Sequence, residues 1–322
     1  MKFTPFKFQV PLAAGGVALM AFNYLQFAVP HGKGLIKSSD IPWVRLTTGQ
    51  ISSYLPLIVL MLAFTIINLI FTVVSLKDLI QWLANKQEYQ DFLNSPPTKN
   101  IGIFVPIASL SMTANVILAP LAFFIPKLSS NLQALMLPGL IFFGFLWLAL
   151  FRFEFKVFKT WLCQPLDVTQ LNFIWLLDVF AFGLVNLTGT GIAAISTNRE
   201  IASLAALASF FTLSVGVFLL VTKLTYLIYL QLKSNELPPS WVQPAYFLVI
   251  PITCLFGFSF YRITLYLQTY FSFDTKIVSF FFLTFSYVIT IGWGLFSLYL
   301  LKDYLKKDFA KSEFSPPQWA MV

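Results

Sequence analysis

The chain has 322 residues, of which 58% are hydrophobic and 11% charged, with a formal net charge of +8. Ordinary soluble domains carry about 25% charged residues, so lipid rather than water is the main solvent and a soluble enzyme is excluded. The excess of positive charge does not point to nucleic acid either, because the 21 Lys and Arg are dispersed between apolar runs, where they report membrane topology.

A helix needs roughly 20 apolar residues to cross the hydrocarbon core. Eight such runs are predicted, at about 8–30, 51–76, 101–125, 133–155, 171–195, 201–231, 243–268 and 275–301. They are continuous and rich in Leu, Phe, Ile and Ala, which excludes the short alternating segments of a membrane β-barrel. The predicted fold class is an all-α polytopic membrane protein forming a single transmembrane domain.

The first run contains Val10-Pro11-Leu12-Ala13-Ala14, and this pattern returns in the third as Val105-Pro106-Ile107-Ala108-Ser109 and in the seventh as Ile250-Pro251-Ile252-Thr253-Cys254. A run that recurs is a span and not a cleaved signal peptide. Pro106 and Pro251 lie about 145 residues apart, two periods of roughly 72, which fits a repeat of two helices and two loops. Asp178 falls halfway between them, in the fifth run. After the second run, residues 77–93 space their apolar side chains as an amphipathic surface helix does, and this extension accounts for the longer interval between Pro11 and Pro106.

Hydrogen-bonding side chains concentrate in the odd-numbered runs, among them Asn23, Ser109, Ser111, Thr113, Asn115, Asn186 and Thr188. The fourth run, from Leu137 to Leu148, has only Trp147. Unpaired polar groups cost several kcal/mol in lipid, so the odd helices are expected inside and the even helices in an outer ring. Candidate pathway-lining or kink positions are Pro11, Gly15, Pro106, Ser109, Thr113, Asp178, Phe182, Pro251, Cys254 and Phe258. The prolines would kink their helices, and Phe182 and Phe258 would narrow a pore, since apolar constrictions gate by dewetting. A carboxylate in a membrane helix is a functional candidate in need of a partner. For Asp178 the choices are Lys223, Arg262 or water at the nearby interface. If it couples protons, it is the one group in the spans suited to energising transport.

No enzyme chemistry is predicted. His31 is the only histidine and Cys163 and Cys254 are the only cysteines, too few and too scattered for a metal site, and no phosphate-binding glycine loop is present. No cofactor is expected. Sorting Lys and Arg by side of the membrane gives fourteen with the N-terminus and seven opposite, which predicts cytoplasmic N- and C-termini. The tail 302–322 carries a basic cluster and then Ser315-Pro316-Pro317-Gln318-Trp319, a helix-start signal like Ser95-Pro96-Pro97 before the third run. It is expected to open a ninth helix, so that eight spans are present of ten and the chain stops short of its last repeat.

Kinking Val-Pro-Leu or Ile-Pro-Ile motifs on inner helices, apolar outer helices and a two-helix repeat together resemble the tellurite-resistance and C4-dicarboxylate transporter family, which includes the slow-type anion channels of plants. The resemblance implies five helical hairpins around a pore, often as a homotrimer, moving a small anion across the bacterial inner membrane. Asp178 stands where a kinking proline is expected, which is a departure. Ala14-Gly15-Gly16 with Phe27-Ala28-Val29-Pro30-His31 is similar to the TsoY group within this family, some of whose members are selenoproteins. That likeness implies an alternative, a membrane-embedded selenium-dependent redox protein whose reactive residue lies just past Val322.

Overall fold

The structure is a computed structural model and describes residues 3–32, 34–163, 168–234, 236–309 and 316–321. Lys2, Lys33, Lys311, Ser315 and Val322, which enter the sequence reading, lie outside the described residues. In lipid each backbone N–H and C=O has to be satisfied within its own segment or by a neighbour, and the described chain is helical with no strand. Eight helices are long and apolar enough to cross a membrane: α1 (Pro5–Ala28), α2 (Thr48–Ala84), α3 (Pro97–Phe124), α4 (Leu132–Cys163), α5 (Phe173–Ile195), α6 (Arg199–Ser234), α7 (Gln243–Phe271) and α8 (Lys276–Leu300). α2 runs on through most of the segment expected on the membrane surface, and a separate short helix, Lys86–Leu93, completes it. Trp82 is buried there against Phe3, Tyr89 and Phe92. Partial burial holds the Tyr89 phenol above its usual range, against the opposing field of Arg152.

Burial separates two layers. The apolar windows of α1, α3, α5 and α7 are 56%, 78%, 89% and 50% buried, against 22%, 28%, 39% and 0% for α2, α4, α6 and α8. The odd helices are therefore inner and the even ones outer. Successive inner helices pack on one another as a curved row, α1 on α3, α3 on α5 and α5 on α7, while α2, α6 and α8 back onto α1, α5 and α7. α4 packs more closely on α5 than on α3.

Polar side chains join this row. The Asn68 amide of α2 donates to the Pro11 carbonyl of α1 at 2.6 Å, and Thr72 shares a 2.9 Å hydrogen bond with Thr113 of α3. Ser111 and Asn115 of α3 both bond Thr188 of α5, and Ser111 also donates to the Leu184 carbonyl at 2.7 Å. Thr253 of α7 bonds Thr290 of α8 at 2.8 Å. Each such bond removes a polar group from lipid at the seam between two helices. Gly15 allows the tightest approach in the first hairpin, since a Cβ there would run into Met112 and the Asn68 amide.

All four inner helices begin alike. A 3-10 turn (Pro5–Phe8, Ile101–Ile103, Phe173–Leu176 or Gln243–Leu248) passes into α-helix at Gln9, Phe104, Leu177 or Val249. The third α residue is Pro11, Pro106, Val179 or Pro251. Proline at this position lies two residues past the 3-10 to α junction, toward the start of each span rather than in its middle. Further along α3, Pro120 sits in a π turn, Ile117–Leu121, an expansion of the kind that accommodates a missing backbone donor.

Candidate functional site

The concave side of the inner row encloses a cavity of about 780 Å³. Its wall takes one stripe from each odd helix and nothing from the described even helices. α1 contributes Gln9, Leu12, Ala13, Gly16, Leu19 and Asn23, the three-and-four spacing of one helical face, and α5 contributes Ile174, Leu177, Phe180, Leu184 and Leu187. Val105, Ala108 and Met112 come from α3, and Leu248, Pro251, Cys254, Leu255 and Phe258 from α7. At the end nearest the N-terminus the turn Pro316–Met321 lies against the start of α7 and against α1, and adds Pro317, Trp319 and Ala320.

The middle of the cavity is hydrocarbon. Polar side chains are confined mainly to its ends, with Gln9, Thr98 and the exposed Lys99 at the N-terminal end and Asn23 further along α1. No Asp or Glu occurs among the described lining residues. Beyond Phe258, one turn further along α7, Arg262 folds back over the Phe258 ring with its guanidinium carbon 4.5 Å from the centroid. Its Nη1 donates to the carbonyl of Leu187 at 2.8 Å. Both contacts are cavity-wall residues, but Arg262 itself is not one. None of the ion pairs among the described residues involves Arg262 or Lys99.

Of the ten positions singled out in the sequence, Pro251, Cys254 and Phe258 line this cavity. Pro11 and Gly15 face α2 and α3, Pro106 and Ser109 are buried in the helix layer, and Thr113 is engaged with Thr72 and with the Ser109 carbonyl. Phe182 is fully buried and meets Phe151 of α4 edge-on at 5.3 Å. Phe180, two residues earlier and about 200° around the helix, is the ring that α5 turns toward the cavity.

Asp178 also points away from the cavity. It pairs with Lys223 of α6, both side chains being almost fully buried, and Arg262 is not its partner. Lys223 further donates to the Trp175 carbonyl at 3.2 Å and lies 4.8 Å and 4.4 Å from the Trp161 and Trp175 rings. Glu154 of α4, absent from the sequence-based candidates, is buried in the field of both Asp178 and Lys223. The other oxygen of Asp178 accepts the Val179 amide at 2.6 Å. That amide is the one which proline eliminates at the equivalent position of α1, α3 and α7, so the departure from the proline pattern in α5 is met by a local carboxylate cap.

The geometry bears on what the cavity can hold. An ion entering an apolar wall sheds hydration at a steep cost, which favours small, weakly hydrated species. The lining Lys99, uncompensated by a lining carboxylate, lowers the energy of an anion at its end and raises that of a cation. The same residues offer no described metal cluster and no nucleophile paired with a base. A comparison with family models matches residues 2–322 to the voltage-dependent anion channel family. Neither the curated proteins nor the solved structures contain a match.

Proposed function

The chain belongs to the voltage-dependent anion channel family, and from that premise we propose that it is a membrane channel or transporter carrying small monovalent anions through the space enclosed by α1, α3, α5 and α7. The observation that carries this reading is an apolar, carboxylate-free cavity with Lys99 lining one end, while at the other Arg262 touches the wall residues Leu187 and Phe258. Selectivity among anions then follows from dehydration along the hydrocarbon wall, with Phe180 and Phe258 as the bulkiest lining rings. We place the protein in the bacterial inner membrane with its N-terminus and the 302–322 tail cytoplasmic, as the distribution of Lys and Arg favours, and assign it a homotrimeric assembly. On this orientation Lys99 faces the cytoplasm and Arg262 the outer side.

Reconstitution into planar bilayers under a potassium chloride gradient tests the reading. The reversal potential is expected near the chloride equilibrium potential. A reversal near the potassium potential, or a membrane no more permeable to anions than protein-free lipid, refutes it.

A further inference from the structure

The cavity is open along one side. α1 and α7, the two ends of the inner row, do not pack closely on each other, although at the N-terminal end the turn Pro316–Met321 reaches both. Beyond that turn a slot separates them. Wall residues are accordingly uncovered: Met20 of α1 is 59% exposed, and Cys254 of α7 is exposed as well. The described even helices stand behind the inner ones and add nothing to the wall, so the slot faces the hydrocarbon of the membrane directly.

What fills the cavity follows from where it opens. Water finds few partners on a wall that is mostly Leu, Ala, Val, Met and Phe, and an empty space forfeits dispersion contacts. An acyl chain arrives from hydrocarbon and has no hydration to lose. The volume of about 780 Å³ lies within the roughly 300–1,000 Å³ of sites that hold one small molecule. The α1 stripe from Gln9 to Asn23 extends about 21 Å at 1.5 Å per residue, longer than one leaflet, half of a core about 30 Å thick. The polar end suits a headgroup. Gln9, Thr98 and Lys99 stand there with Trp241 and Trp319, and indoles favour the headgroup level of a membrane. Lys99 is exposed and belongs to none of the described ion pairs. No described Asp or Glu lines that end to receive a choline or ethanolamine cation.

We propose that one acyl chain of a membrane phospholipid enters the cavity through the slot between α1 and α7, with its phosphate on Lys99, and that a headgroup of net negative charge is preferred to a zwitterionic one. The second chain stays in the bilayer. A seated chain and a permeating anion exclude each other, which makes lipid occupancy a means of closing the path. That consequence rests on the reading of the cavity as an anion pathway; the binding site does not.

Cys254 reports on the site, since its thiol is exposed on the wall and makes no disulfide. In detergent-purified Cys163→Ser protein, the rate of Cys254 alkylation by N-ethylmaleimide is measured as dioleoylphosphatidylglycerol or dioleoylphosphatidylcholine is added. Both lipids are expected to slow the reaction, with half-protection at lower concentration for phosphatidylglycerol. Lys99→Gln should raise the phosphatidylglycerol concentration for half-protection about tenfold, the worth of one hydrogen bond to a charged group, and bring the two lipids together. Cys163, exposed at the end of α4, is the control in Cys254→Ser protein, and its rate should not change. Indifference of Cys254 to both lipids, or equal slowing at Cys163, overturns the proposal. So does protection that follows protein concentration instead of lipid, which would put a second copy in the slot. A phosphatidylglycerol titration unchanged by Lys99→Gln overturns the headgroup assignment. None of these readouts needs ion flux, so they hold whether or not the protein conducts anions.

Discussion

Replacing Asp178 by Asn strands a buried ammonium, and the cost can be worked from its surroundings. Lys223 is 3% exposed and Asp178 0%, so neither charge is screened by solvent. The remaining partners of Lys223 are the Trp175 carbonyl and two indole faces. Each ring supplies up to about 2 kcal/mol when desolvated, which together offset only part of the desolvation penalty of an ammonium that has lost its carboxylate. Removing one member of a buried pair costs about 3–5 kcal/mol. Asn keeps an oxygen for the Val179 amide, so the loss is electrostatic rather than a lost cap. Glu154, already in the field of Lys223, tempers it toward the lower half of that range. Thermal unfolding of detergent-purified Asp178→Asn, Lys223→Met and the double variant forms the cycle. The double variant should be more stable than the sum of the single losses predicts, by about 2 kcal/mol or more. Strict additivity would show that the two groups do not stabilise each other and would refute the reasoning.

The position of the pair behind the cavity further implies that Asp178→Asn leaves the pH profile of anion flux unaltered once folded protein is recovered. A profile that flattens in this variant would return Asp178 to the transport path. Phe180→Ala should raise unitary conductance, whereas Phe182→Ala, emptying a fully buried site against Phe151, should cost about 3–5 kcal/mol and leave the conductance of the folded fraction unchanged; single-channel recording separates the two. Gly257→Leu should prise α7 from α8, because a Cβ at Gly257 already collides with Ser286, and the overpacking is expected to cost about 1–3 kcal/mol or more in thermal unfolding. Val179→Pro should be tolerated within about 1 kcal/mol, while Leu184→Pro, deeper in the same helix, should cost about 3 kcal/mol. The carbonyl that a proline at 179 would release is that of Trp175, which already accepts from Lys223.

The class of fold was legible because hydropathy over twenty residues is a direct record of the solvent. The layering was legible because lipid penalises unpaired polar groups, and those groups cluster on odd helices. The direction in which each residue points was not. α5 is buried nearly all round, so its sequence carries no apolar stripe to fix the helical phase, and Phe182 was as eligible for the cavity as Phe180. Ser109 and Thr113 read as pathway residues because they are polar, yet polarity on these helices mostly serves the seams between them. Glu154 could have been found: it is the one acid in the otherwise apolar and basic stretch from Phe151 to Lys159, about two and a half turns before the end of α4. Its partners, however, come from 24 and 69 residues further on, and only the packing of α4, α5 and α6 brings them together.

The same division explains how a chain with 21 basic and 13 acidic residues keeps its central cavity almost free of charge. In each hairpin the hydrogen-bonding groups of the inner helix turn sideways or outward to another helix, as Thr113 does to Thr72, Ser111 to Thr188 and Thr253 to Thr290. These bonds lie in low dielectric, where an unpaired group is most costly. What remains for the central face is mostly Leu, Ala, Val, Met and Phe. The buried acids are drawn to Lys223 in the outer seam, which withdraws negative charge from the path, while Arg262 has no acid to follow and stays at the cavity end. On the proposed reading, a preference for anions arises less from placing positive charge along the wall than from sequestering every described buried carboxylate behind it.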